Sequence, residues 1–423
     1  MQEDFLHYIW KHKKLAILNL KTTQHEAIEI VAVGTHNHNA GPDFFNGQVR
    51  IGNQLWAGNI EIHIKSSDWF VHNHEQDKAY DNVILHVVFD HDTEIFRNDN
   101  STIPTLEMKE YIDKNLLENY QKLFTAKNKW INCEQDFADV DEFVIKNWLE
   151  RLYFERLERK SKTIDTLLID SKNDWEAVLF ALLAKNFGLK VNGDSFFSLA
   201  NSIDYATLRK SQSKVELLEA LFFGQLGLLD SESSNAYHQE LQNEYTFLKQ
   251  KFQLNNQGVL PLQFFRLRPP NFPTIRLSQL ANLYHQEQQL FSKVIAINKL
   301  SDYYELFSVS TTPFWNAHYT FDKSSKVSVK KITRAFIDLL LINTILPLKF
   351  CYAKQEGKAI DDSILDVISA IASEKNSIID GFNQLRPISK SALESQAIIQ
   401  LKTEYCDTNQ CLKCAVGNSL LTK

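Results

Sequence analysis

Apolar and polar residues change rhythm along this chain, and the changes mark out its elements. Between residues 3 and 13, Phe5, Leu6, Ile9 and Trp10 recur at the spacing of one helix face, with Glu3 at its edge beside Trp10. Residues 27–33 alternate as a strand does and stop at Gly34. Two more strands are expected over 44–51 and 55–65. In the second, Ile60, Ile62 and Ile64 fall on one face and Glu61, His63 and Lys65 on the other, because strand side chains repeat every two residues. A buried parallel strand would be apolar on both faces, so this polar row suggests a site. Ser66, Ser67 and Asp68 read as a helix start, and the weakly periodic segment to Tyr80 as helical. Residues 82–90 form a β-branched strand, 105–109 a short one, and 111–124 a helix. Hairpin-compatible links join the first three strands and a crossover precedes the fourth, which implies an α/β unit with a mixed sheet.

From residue 139 the period becomes helical. Val144, Trp148, Leu149, Leu152 and Leu157 approximate one stripe, and segments 175–187, 215–229, 236–252, 277–300 and 332–346 continue it. Pro269, Pro270 and Pro273 interrupt the pattern and exclude helix there. Gly224 and Gly227 complete no phosphate loop and instead permit close helix packing. The expected organisation is an α/β domain over residues 1–125, then a larger all-α domain over 126–423 that ends in a cysteine cluster.

Composition narrows the function. The net charge of −6 gives no global attraction for nucleic acid, so any anion-binding surface must be local. The first residues carry Glu3 and Asp4 where a secretion signal needs positive charge. The most apolar run, 335–348, contains Asp338, Asn343 and Pro347 and reads as a buried helix, not a membrane span. A cytoplasmic chain is therefore expected, with no membrane partner. Five cysteines, an odd number without a signal, argue against a disulfide framework.

Three groups of residues suggest chemistry. Asp43 opens one strand and Glu61 lies on its neighbour. Two carboxylates that meet repel unless a cation sits between them, and Mg²⁺ or Mn²⁺ prefers such oxygen ligands. His63, two residues on, is placed to orient or deprotonate water. The same residues also fit a turn after Pro42 and the solvated face of a strand. Next, His36, His38, His63, His72, His74 and His86 crowd one region, and their two His-x-His pairs suit Zn²⁺ or Fe²⁺. That makes a metal hydrolase of small substrates an alternative; His36 and His38 equally fit a role in ordering the Asp43 loop. Last, Cys406, Cys411 and Cys414, with Cys133 as fourth ligand, suit structural Zn²⁺ or a 4Fe–4S cluster. Around the prolines, Arg266, Arg268 and Arg276, with Asn271 between them, form a candidate grip on nucleic-acid phosphates. Lys330, Lys331 and Arg334 make a second basic cluster.

The pattern Pro42-Asp43, then Glu61-Ile62-His63, on this order of elements resembles the PD-(D/E)xK nuclease superfamily. The resemblance implies a restriction-endonuclease-like fold and phosphodiester hydrolysis. It assigns the metal to Asp43 and Glu61, the water to His63, and an assisting role to Glu3 on the first helix. His63 stands where lysine is usual, and Lys65 on the same face could compensate. Some of these nucleases hold a 4Fe–4S cluster on one cysteine before the motif and three after; here Cys133 follows the motif. A non-catalytic nucleic-acid-binding or scaffold protein on the same fold is a further alternative. The chain also resembles, over nearly its full length, an uncharacterised bacterial domain-of-unknown-function family (2851 type). Asn39-Ala40-Gly41-Pro42-Asp43-Phe44, Glu61-Ile62-His63, Ser67-Asp68-Trp69, Arg268-Pro269, Asn271-Phe272-Pro273 and the terminal cysteines carry that likeness, which implies no activity.

Overall fold

A computed structural model describes residues 1–125, 129–358 and 362–423. Its contacts divide the chain into two compact units, Met1–Trp148 with Leu401–Lys423, and Leu149–Gln400. The boundary thus falls at Trp148 rather than near residue 125, and the C-terminal segment joins the first unit.

The first unit is built on a mixed sheet. Helix α1 (Glu3–Lys11) buries Phe5, Leu6, Ile9 and Trp10 as their spacing foretells, with Tyr8 besides. Strands β1 (Ile28–Ala32), β2 (Thr35–His36), β3 (Phe44–Ile51) and β4 (Gln54–Lys65) follow. The mixed sheet and the helices that follow it agree with the expected fold class at that level. Strands β3 and β4 pair antiparallel around Gly52 and Asn53, with Ile51 opposite Gln54. Gly52 takes φ +56°, which a tight two-residue turn requires and glycine adopts without strain. Helix α2 (Asp68–Val71) leads to β5 (Val83–Asp90), and β6 (Thr105–Glu107) completes the sheet. The order is β1-β3-β4-β5-β6, with β2 on β3; β1, β3 and β4 are antiparallel, while β4, β5 and β6 are parallel.

The helix expected over 66–80 shrinks to the four residues of α2. Asn73 takes a left-handed φ of 60°, which ends the helix, and short 3₁₀ turns at His74–Gln76 and Lys78–Tyr80 carry the chain on. Trp69, Tyr80, Val83, Ile95 and Ile103 make a buried cluster beneath this segment. Helix α3 (Lys114–Thr125) lies beside the C-terminal segment, where Asn119 Nδ2 donates to Leu421 O at 3.4 Å.

The boundary between the units falls inside α4 (Glu142–Asp170). The second unit is helical: α5 (Trp175–Phe187), α6 (Leu189–Asn201), α7 (Tyr205–Ser211), α8 (Val215–Gln225), α9 (Ala236–Phe252) and α10 (Pro273–Gln286) precede further short helices. The helix expected over 277–300 is broken after α10, with Gln289 at φ 54° before a short helix at Leu290–Ala296. Among the described residues, Arg334–Gln355 is long and apolar enough to cross a membrane, but most of it is buried in this unit.

Gly224 supports the close-packing reading. A Cβ there would lie 2.2 Å from Cγ of Tyr245 on α9. Gly224→Ala should therefore lower the urea midpoint, the overpacking cost of about 1–3 kcal/mol outweighing the ~1 kcal/mol that alanine gains in helix propensity. A midpoint equal to or above the parent's would show that α8 and α9 can part freely.

Candidate metal centre

The β3–β4 hairpin sets the site. Phe44 pairs with Ile60, so Asp43 stands across from Glu61. Asp43 N donates to Glu61 Oε2 at 3.1 Å, and Ile62 N donates to Asp43 Oδ2 at 2.9 Å. Each backbone thus holds the other strand's carboxylate, and the two acids face each other. Glu61 is 5% exposed and His63 1%, which rules out the solvated strand face for both. Burial, and then the charge of Asp43, pushes the Glu61 carboxyl up to about 9.

Histidines close around the acids. On α1, Glu3 and His7 lie one turn apart on the same edge. His7 Nε2 is 3.2 Å from Asp43 Oδ2. Burial works to lower the His7 pKa, but the hydrogen bond and charge of Asp43 prevail and raise it. Glu3 is raised by burial and by Asp43. From β5, the fully buried His86 meets His63, Nε2 to Nδ1, at 2.8 Å. The other His63 nitrogen, Nε2, lies 3.1 Å from His72 Nδ1 and 3.4 Å from Glu61 Oε1. His74 Nε2 is 3.3 Å from the same oxygen, and its ring stacks on Tyr80 at 3.7 Å. Burial, then the neighbouring His74 and His72, pulls the His63 pKa down to about 3, so the ring is neutral.

This arrangement fits a metal ion. His63, His72 and His74 each offer a ligand atom within 4.8 Å of the others. Ring nitrogens 3.1 Å apart must share a proton or face one cation. The buried His74 Nε2 makes no hydrogen bond despite its closeness to Glu61, and an ion there would let the Glu61 carboxyl give up its proton. The left-handed Asn73 lies between His72 and His74 in sequence, and the turn it makes brings both rings to His63.

Other expected residues lie elsewhere. His36 stacks on Phe44 at 4.8 Å and touches His38 at 4.4 Å, centroid to centroid, so the His-x-His pair that joins His63 is the later one, His72 and His74. Lys65 is exposed at the end of β4. Cys133, Cys406, Cys411 and Cys414 are free thiols in the first unit. Burial and their mutual charge raise Cys133 to about 12 and raise Cys406 as well. Yet among the described residues only His63, His72 and His74 meet as a ligand group of three, so the expected four-cysteine clasp is not formed. Cys406 ends a π turn, Cys411 opens a 3₁₀ turn and Cys414 precedes the last helix, and Asn132 Nδ2 donates to Cys411 Sγ at 3.4 Å. Arg276 is buried, with its guanidinium 3.7 Å from the Phe336 ring and bonded to Asn271 Oδ1 at 2.7 Å and Gln279 Oε1 at 2.9 Å. Those two expected phosphate contacts serve the helical unit's interior instead. Arg266 and Arg268 are exposed. Lys330 is buried too, bonded to the carbonyls of Trp315 and Asn316. Sequence reasoning missed His7, although its spacing of four from Glu3 on the polar edge of α1 was a usable signal.

Fold and site together define an α/β protein with an acid pair and a histidine group that could hold a metal ion. The chain belongs to the family described as Protein of unknown function (DUF2851), which matches residues 3–377. The match takes in the whole candidate centre and stops before Cys406. No curated protein and no solved structure matches the chain.

Proposed function

We propose that this chain is a metal-dependent hydrolase that cuts phosphodiester bonds in nucleic acid. The observation that carries the reading is the reciprocal bonding of Asp43 and Glu61 across β3 and β4, beside three converging histidines. The order of elements supports it: an antiparallel hairpin bearing both acids, a crossover through α2, then a parallel strand. That is the arrangement the nuclease resemblance implies, with His63 in the lysine position. Nitrogen donors beside carboxylates favour Mn²⁺ or Zn²⁺ over Mg²⁺, which takes oxygens. Such an ion would acidify water and polarise a phosphoryl oxygen.

The residues divide the remaining work. Asp43 and Glu61 supply negative charge, and His7 holds Asp43. His63, His72 and His74 present nitrogens to the same point. His86 fixes the His63 ring through Nδ1, and Tyr80 and Trp69 wall the far side of His74.

The histidine group also supports a second reading, hydrolysis of a small substrate. One assay separates the two: single- and double-stranded DNA, RNA and a small chromogenic phosphodiester, each with Mn²⁺, Zn²⁺ or Mg²⁺. Metal-dependent cleavage of the polymers, lost in Asp43→Ala and Glu61→Ala, is the expected result. Cleavage of the small diester alone favours the second reading, and cleavage indifferent to both substitutions removes the site assignment.

The raised Glu61 pKa has a pH signature. Unfolded, this group ionises near 4.5; folded, it keeps its proton to about 9. Between those values the folded state binds more protons, so metal-free stability should fall as pH rises. His63 acts oppositely at the acid end, costing stability as pH drops from 6.5 toward about 3. An ion needs the Glu61 carboxylate, so stabilisation by Mn²⁺ or Zn²⁺ should grow with pH up to about 9. Thermal melts with chelator and with metal measure both slopes, and a metal increment independent of pH would contradict this account.

A further inference from the structure

The helical unit contains a cavity of about 470 Å³ that the proposed centre does not use. Lys160 of α4 and Asn343 line it, together with the exposed Lys185 and Lys190, and Leu182 and Leu339 add apolar wall.

The backbone explains why a lysine is there. Pro347 has no amide proton, so a regular helix would leave Asn343 O without a partner. The chain widens instead into a π turn over Leu341–Ile345, in which Leu346 N donates to Leu341 O. In an α-helix Leu346 N would serve Ile342 O, and the next π donor in line would come from residue 347, the proline. Lys160 Nζ takes that place, donating to Ile342 O at 3.1 Å and to Asn343 Oδ1 at 2.9 Å. Asn343 and Pro347, two of the residues that interrupt the most apolar run of the sequence, therefore line this cavity, while Asp338 accepts from the Tyr304 hydroxyl instead. Single π turns of this kind often accompany functional sites.

Positive charge here exceeds negative. Burial, and then Arg156, lowers the Lys160 pKa to about 7; Arg159 adds to the effect and Glu374 opposes it. Asp194, on the cavity wall, is 3.8 Å from Lys185 Nζ. An ammonium has three protons, and two of those on Lys160 are committed to the π turn.

We infer that this cavity binds a small organic molecule through a phosphate group, with Lys160 as the inner anchor and Lys185 and Lys190 completing the grip. Lysine meets phosphate as a point charge, whereas planar carboxylates favour arginine forks. The volume is that of a small-molecule pocket, and the leucines call for an organic body on the ligand.

Calorimetric titration of the full chain with phenyl phosphate, inorganic phosphate and phenol tests the inference. At pH 8 the phosphate is fully charged, while Lys160 is largely neutral and must gain a proton to hold it. Phenyl phosphate should bind most tightly, inorganic phosphate more weakly and phenol not at all. Proton uptake should appear as a dependence of the heat on the buffer's ionisation enthalpy. Lys160→Gln keeps a donor for Ile342 O, yet should weaken binding about tenfold or more and abolish the uptake. The exposed double variant Lys185→Gln/Lys190→Gln should weaken binding without proton effects, and it carries the test should Lys160→Gln fail to fold. No saturable heat at millimolar phenyl phosphate, equal binding of phenol, or unchanged affinity in the folded variants would overturn the inference.

Discussion

Glu61→Gln is expected to make the metal-free protein more stable while removing its hydrolytic activity. The side chain is 5% exposed and faces Asp43, so in the parent a buried acid must stay protonated or repel its neighbour. Glutamine keeps the shape, and its amide oxygen can still accept from Asp43 N, the bond Glu61 Oε2 makes at 3.1 Å. Glutamine cannot ionise, so the variant avoids the cost of protonating, on folding, a group that is ionised in the unfolded chain at pH 8. At pH 8 the variant should therefore melt above the chelator-treated parent, and the gap should narrow toward pH 5, where the unfolded carboxyl nears its own protonation at 4.5 and folding no longer has to protonate it. Cleavage should fall by about 10³-fold or more, the scale on which one group aimed at developing charge matters. The two shifts in opposite directions are diagnostic, because a merely structural acid would lose stability with its charge and leave any activity untouched. A variant that melts lower than the parent at pH 8, or one that retains metal-dependent cleavage, would refute the role given to Glu61.

How much of this was legible in the sequence differs from element to element. The strict alternation in residues 60–65 placed Glu61 and His63 on one face, and the hairpin put Asp43 opposite, because period and turn length are local properties of the chain. Burial of that face was not local. It comes from α1 and α2 packed on β4 and from the parallel strand β5 that supplies His86. The segment 66–80 looked weakly helical since its residues serve short turns and a left-handed Asn73, and the positions of His72 and His74 depend on that turn rather than on any period. Arg276 shows the same limit: a charge beside prolines reads as surface, but its ring partner Phe336 is far along the chain and nothing near residue 276 announces it. The cysteine spacing suggested a clasp, yet spacing fixes only reach; the turns between Cys406, Cys411 and Cys414 decide where the sulfurs point.

His63, His72 and His74 should each be required for tight metal binding, and His36 and His38 should not. The first three bring ligand atoms within 4.8 Å of one another, whereas His36 lies flat on Phe44 with His38 beside it. Elemental analysis of chelator-stripped protein reloaded with Zn²⁺ or Mn²⁺ should give about one ion per chain at this centre, with any cysteine-bound zinc counted separately in a variant lacking the terminal thiols. His63→Ala, His72→Ala or His74→Ala should weaken that ion by more than the roughly 10–100-fold typical of losing an outer partner. His86→Phe, which removes the ring nitrogen 2.8 Å from His63 Nδ1 along with the unpartnered Nδ1 of His86, should fall inside that range. His36→Ala/His38→Ala should match the parent. The ranking separates a ligand set from a cluster of packed rings: in a cluster, the fully buried His86 would cost as much as His63, and the exposed His72 would cost nothing. Equal metal content across all these variants would dissolve the centre, and with it the hydrolytic proposal for the acids beside it.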